Sequence, residues 1–99
     1  MIVCEFSIVP LGAGESVSAY VARCHAILRE SGLPHRLTAM GTLVEGEWDE
    51  VLGVIRRCHM AVRADNRRVS TLIRIDDREA PPGRLERKVR SVEDKLRPH

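Results

Sequence analysis

Thr38-Ala-Met-Gly-Thr-Leu-Val-Glu-Gly-Glu-Trp48 decides how this chain folds. Gly41 permits a tight reversal between two runs that read as extended, residues 36–40 and residues 42–45. Gly46 then breaks the second run. Glu47, Asp49 and Glu50 put negative charge into the first turn of a new helix, where the backbone dipole favours it. Strand, turn, strand and helix start follow one another without a spare residue, and the flanking sequence has to fit around them.

Towards the N-terminus, residues 2–9 alternate as a strand. Ile2, Cys4, Phe6 and Ile8 lie on one face, and Val3, Glu5, Ser7 and Val9 on the other. Pro10 ends that strand and Leu11-Gly-Ala-Gly14 makes a loop, lacking the third Gly or the Lys-Ser/Thr of a phosphate fingerprint. Ser16 is a suitable helix N-cap. Val17, Tyr20, Val21, Cys24, Ile27 and Leu28 follow at helical spacing until Gly32 and Pro34 stop the helix. Towards the C-terminus, Trp48, Val51, Leu52, Ile55, Cys58 and Val62 form the stripe of a second helix. Asp65-Asn66 closes it, and residues 69–76 alternate as a fourth strand. After Ala80-Pro-Pro-Gly83, Leu85, Val89, Val92 and Leu96 mark a narrow stripe on a third helix, flanked by the pairs Glu86–Arg90 and Glu93–Arg97.

The order β-α-β, β-α-β, helix predicts an α+β fold, the ferredoxin-like βαββαβ sandwich. Such a fold is a single domain with a four-stranded antiparallel sheet, two helices on one face and an added C-terminal helix. The bare sheet face is expected to carry Glu5, Ser7, Val9, Thr38, Met40, Leu72 and Arg74, with Leu43 and Glu45 beside them. That mixture of apolar and polar side chains suits a subunit interface, a ligand site, or both.

Composition narrows the function. The 99 residues suit one domain, and the net charge of +2 is close to neutral. The basic residues of the C-terminal third alternate with Asp and Glu, as on a solvated face. Phe6, Tyr20 and Trp48 are the only large aromatic residues, too few for a nucleic-acid stacking platform. No apolar run approaches the ~18–20 residues of a membrane helix, and residues 1–6 lack a basic leader, so the cytoplasm is the expected location. Cys4, Cys24 and Cys58 are too scattered for a disulfide framework. Cys24-His25 and Cys58-His59 lie inside helices, where adjacent side chains diverge by about 100°, so they read as core cysteines with flanking histidines and no metal is expected.

No catalytic constellation emerges. The acylphosphatase-type enzymes of this fold use an Arg in an N-terminal glycine loop and a later Asn, whereas residues 11–14 hold no Arg and the only Asn is Asn66. Binding is better supported. Ser7, Thr38 and Thr42 offer hydroxyls, Glu45 and Glu47 offer charge, and Met40 and Trp48 offer polarizable surface. Together they suit a small, flat, cationic heterocycle.

Four blocks carry a resemblance: Glu5-Phe-Ser-Ile-Val-Pro-Leu-Gly12, Ser18-Ala-Tyr-Val21, Leu37-Thr-Ala-Met-Gly-Thr-Leu-Val-Glu-Gly-Glu-Trp-Asp-Glu50 and Arg68-Val-Ser-Thr-Leu-Ile-Arg-Ile-Asp-Asp-Arg78. In these blocks and their spacing the chain resembles the small thiamine-binding protein family related to the YkoF thiamine/hydroxymethylpyrimidine-binding domain. The resemblance implies a ferredoxin-like fold, homodimers that pair into homotetramers, and binding of thiamine or its hydroxymethylpyrimidine moiety without turnover and without a cofactor. It implies a carrier or sensor whose pocket is lined by Ser7, Thr38, Met40, Gly41, Thr42 and Glu45, with Trp48 nearby. Arg74 departs from the Lys more usual in the family's last strand. On this reading Glu45→Ala weakens binding and leaves the melting temperature nearly unchanged. The alternative is a structural or regulatory oligomerisation module of ACT-like design, with another small ligand or none.

Overall fold

A computed structural model describes residues 1–12, 18–79 and 83–96. In chain order they form β1 (Ile2–Pro10), α1 (Ser18–Ser31), β2 (His35–Thr38), β3 (Gly41–Gly46), α2 (Trp48–Arg63), β4 (Val69–Asp77) and α3 (Arg84–Leu96). The strands make one antiparallel sheet in the order β2-β3-β1-β4, the ferredoxin-like arrangement expected from the sequence. The expected N-cap Ser16, Val17 of the first stripe, loop residues 13 and 14, most of the proline-rich linker and Arg97 lie outside the described residues.

The alternation of β1 divides the sheet into two faces. Ile2, Cys4 and Phe6 are buried against Cys24 and Leu28 of α1 and Val51, Val54, Ile55, Cys58 and Val62 of α2, with Val44 of β3 completing this core. Each stripe at i, i+3, i+4 delivers its helix to the same sheet face, and burial of those side chains is the main stabilising term. Gly32, at φ 74°, ends α1 in the left-handed conformation that glycine adopts without penalty.

Strand register fixes the other face. Glu5 stands between Leu43 and Arg74, Val3 between Glu45 and Asp76, and Ser7 opposite Leu72. The sequence places Met40 on this face as well. Instead β2 ends at Thr38, and Ala39 and Met40 form the turn into β3. Thr38 stops the strand by bonding its own turn: its Oγ1 donates to the Gly41 carbonyl at 2.9 Å and accepts from the Met40 and Gly41 amides at 3.2 Å. Trp48, expected on the α2 stripe, is 49% exposed. It opens the helix, and side chains of a first turn lean back past the N-terminus, here beyond the edge of the core.

The third helix depends on one carboxylate. Glu45 is 2% exposed on the sheet face away from α1 and α2. Its Oε1 accepts the Gly83 amide at 2.6 Å and its Oε2 accepts the Leu85 amide at 3.4 Å. Two of the amides that a helix start leaves without internal partners are thus tied to β3, and the negative charge sits where the helix dipole favours it. From there α3 moves away from the body: Val89 is 41% exposed, Val92 56% and Leu96 76%.

Candidate functional site

The site is created by a difference in strand length. The pairing of β1 with β3 stops at Phe6 opposite Thr42, while the pairing of β1 with β4 continues to Pro10 opposite Val69. Ser7 and Ile8 therefore have a sheet neighbour on the β4 side only, among the described residues. On their other side the β2–β3 hairpin turns back and leaves a notch. The start of α1 roofs it.

The notch is a cavity of about 200 Å³, lined by Phe6, Ser7, Ile8, Tyr20, Val21, Cys24, residues 37–42 and Val62. Pockets for drug-sized ligands run from ~300 to ~1,000 Å³, so this one accepts a single ring rather than a two-ring molecule. Its walls are mainly apolar, with the hydroxyls of Ser7, Thr38, Thr42 and Tyr20 and a strand edge as its polar elements. Thr38 already spends its hydroxyl on the turn, and Thr42 is buried at 8% exposure. Among the described residues, none of the lining side chains carries a carboxylate, guanidinium, ammonium or imidazole group.

Local chemistry holds this shape. A Cβ on Gly41 would lie 3.0 Å from the Phe6 carbonyl oxygen and 3.5 Å from Glu5 Cγ, so glycine is what lets the hairpin close against β1. Tyr20 is fixed from outside by the Arg23 guanidinium, 5.4 Å from the ring centroid. Arg23 in turn pairs with Asp65 at 2.9 Å and donates to the Ala61 carbonyl at 3.2 Å, tying α1 to the end of α2.

Five residues singled out in the sequence meet in this cavity: Ser7, Thr38, Met40, Gly41 and Thr42. Met40 is 84% exposed at its mouth. Two others lie elsewhere. Glu45 holds α3, and Trp48 stands at the start of α2; neither lines the notch. The apolar walls escaped sequence reasoning. Phe6, Tyr20 and Cys24 satisfy a core stripe equally well, and only the shortfall of β3 opens them to a ligand. Leu37, 51% exposed although its register partner Thr42 is buried, shows where the helix cover ends.

The described residues contain no cluster of three or more His, Cys, Asp or Glu side chains able to hold a metal ion. No helix among them is long and apolar enough to cross a membrane.

The fold and the notch define a ferredoxin-like domain with a ring-sized apolar cleft open to a strand edge, a small-molecule-binding design. Residues 4–93 match the family described as thiamine-binding protein, and the chain belongs to that family. A UPF0045 protein of Synechocystis is 42% identical over 93 residues, spanning 93% of this chain and 77% of the relative. A UPF0045 protein of Bacillus subtilis is 40% identical over 104 residues, spanning 99% of this chain and all of the relative. A crystal structure of a Methanocaldococcus jannaschii protein superposes with a TM-score of 0.85 at 36% identity, covering 94% of this chain and 96% of the other. A DUF77 domain of Bacillus cereus gives 0.80 at 28% identity, covering 97% and 93%.

Proposed function

We propose that this protein binds the pyrimidine ring of thiamine, or free hydroxymethylpyrimidine, in the notch between α1 and the β2–β3 hairpin and releases it unchanged. The observation that carries this reading is a ring-sized cavity, with no charged side chain among its described lining residues, beside a strand edge lacking a β3 partner. An aminopyrimidine presents neighbouring donors and acceptors along one side of a flat ring, which complements the backbone groups of Ser7 and Ile8 and the nearby hydroxyls. Among the described residues no counter-charge stands beside Phe6, Ile8 and Leu37 for a cationic thiazolium, so the pyrimidine enters first and the cation stays at the mouth. A Met40 thioether there is a soft, adaptable contact for it. In this assignment Ser7, Thr38, Met40, Gly41 and Thr42 form the contact set, while Glu45 and Trp48 serve the fold.

Absence of turnover rests on the same lining. General acid–base chemistry near neutral pH is carried most often by a carboxylate, imidazole or tuned amine in reach of the ligand, and the described lining offers none of these, Tyr20 and Cys24 being its titratable side chains. A cytoplasmic carrier or sensor is the role that fits binding alone. Self-association into dimers or tetramers fits the sheet face bearing Glu5, Leu72 and Arg74, where Leu72 is 72% exposed. The ACT-like alternative, oligomerisation with another ligand or none, draws on that same face.

Isothermal titration with thiamine, hydroxymethylpyrimidine and thiamine diphosphate tests the proposal. Thiamine and hydroxymethylpyrimidine should bind with affinities within about tenfold of each other, because the shared ring supplies most contacts. Neither heat nor a thermal shift with any of the three would overturn it and leave the oligomerisation module.

A further inference from the structure

The ligand reading makes no use of the thiols. Cys24 and Cys58 face each other where α1 crosses α2, and their contacts are reciprocal. Cys24 Sγ lies 4.0 Å from the Cys58 carbonyl oxygen, and Cys58 Sγ lies 3.7 Å from the Cys24 carbonyl oxygen. Each sulfur thus lies against the partner residue's backbone, which brings the two thiols together across the helix crossing. The two residues also differ in access. Cys58 is fully buried, whereas Cys24 lines the notch and keeps 8% of its surface exposed.

We propose that Cys24 and Cys58 are a modification site, a dithiol that hydrogen peroxide entering through the notch converts to a disulfide joining α1 to α2. In the first step the Cys24 thiolate attacks a peroxide oxygen. The S–O bond forms, the O–O bond breaks, and the leaving hydroxide takes up a proton to become water. In the second step Cys58 sulfur attacks the Cys24 sulfenic acid. The S–S bond forms, the S–O bond breaks, and the departing hydroxide takes the Cys58 proton as a second water. Two thiols lose two electrons in all, and one hydrogen peroxide gains them.

The environment separates the roles of the three cysteines. The Cys58 thiol donates towards Cys24, and that hydrogen bond holds the Cys24 pKa below the ordinary thiol value, with Arg23 adding a smaller pull the same way against the opposing effect of burial. Cys24 lines the notch and is the attacking thiolate, while Cys58, fully buried behind it and pushed up by the same hydrogen bond and by burial, is the resolving thiol. Cys4 is buried in β1 and does not line the notch, its pKa is pushed up to about 11 mainly by burial, and it is a bystander.

The test exposes the folded protein to hydrogen peroxide, quenches with an alkylating agent, and maps peptides without reduction. The expected result is a mass decrease of two hydrogens, a fall in titratable thiols from the three of the sequence to one, and a linked Cys24–Cys58 peptide. Cys58→Ser should instead stop at the Cys24 sulfenic acid, captured by a cyclic 1,3-dione in a peptide containing Cys24. Three titratable thiols remaining after peroxide treatment, linkage through Cys4, or peroxide-dependent capture at Cys4 in place of Cys24 would each overturn the proposal. Thiamine plays no part in this readout, so a failed titration with the vitamin leaves the assignment standing.

Discussion

Replacing Glu45 by Ala should cost stability through a helix that Glu45 does not belong to. The carboxylate is 2% exposed and accepts the amides of Gly83 and Leu85 at 2.6 and 3.4 Å. Loss of a side-chain helix cap costs ~0.5–2 kcal/mol, and loss of negative charge at a helix N-terminus a further ~0.3–1 kcal/mol. The shorter of the two bonds is charge-assisted and buried, which places the total at about 2 kcal/mol. For a domain of this size each kcal/mol lowers Tm by ~4–8 °C, so Glu45→Ala should melt roughly 8–16 °C below the parent. Glu45→Gln keeps an acceptor and loses the charge, and should fall between the two. Hydrogen exchange should show the amides of 83 and 85 losing protection first. Thermal melts followed by circular dichroism, read beside titration with hydroxymethylpyrimidine, decide the matter. A Tm within about 2 °C of the parent together with a roughly tenfold or greater loss of affinity would refute the anchoring role and return Glu45 to the ligand.

Three further outcomes follow from the hairpin and the core. Thr38→Val should cost about 1–2 kcal/mol in urea unfolding, because its Oγ1 serves three hydrogen bonds in the turn, whereas Thr38→Ser should cost less; equal midpoints for Val and the parent would contradict this. Gly41→Ala should cost about 1–3 kcal/mol and weaken ligand binding, since the new Cβ would press on the Phe6 carbonyl at 3.0 Å; an unchanged midpoint would show that the hairpin yields freely. Burial of Cys4 raises its pKa from 9.0 to about 11, so the folded state favours the neutral thiol. That contribution is complete below pH 9 and is lost as the pH rises through 11, about 2–3 kcal/mol in all. Cys4→Ala should flatten the alkaline slope of stability over that window, and an unaltered slope would rule Cys4 out as its source.

The layers of this protein were legible in its sequence because they rest on periodicity. Ile2, Cys4 and Phe6 against Val3, Glu5 and Ser7 announced a half-buried strand, and the stripe through Val51, Ile55, Cys58 and Val62 announced the helix that covers it. The register, and with it the notch, was not legible. Nothing in residues 42–46 says that β3 will stop opposite Phe6, so Phe6 and Tyr20 passed as ordinary core residues. Glu45 reads differently in the sequence and in the structure for a related reason. An acidic side chain between Val44 and Gly46 reads as chemistry held out to a ligand, because its partners lie some forty residues further along the chain. Met40 was placed on a sheet face that the strand never reaches, since the hydroxyl that ends β2 belongs to Thr38, two residues earlier.

The notch between β1, the hairpin and α1 has walls of unequal mechanical character. On the sheet side, backbone hydrogen bonds lock β1 to β4 along its whole length, and Gly41 is pressed against the Phe6 carbonyl. That wall moves only if pairing breaks. On the helix side, Tyr20 and Cys24 are held through side-chain packing, with Arg23 bracing α1 against the end of α2. Packed helices slide by small steps at far lower cost than a sheet changes register. The cleft is therefore a vice with one fixed jaw, in which the sheet would set the orientation of a ring bound as proposed and α1 its thickness. Differences in tolerance between ligands of this family should accordingly be found in substitutions on α1, whereas substitutions on the strands should change whether a ring is held at all.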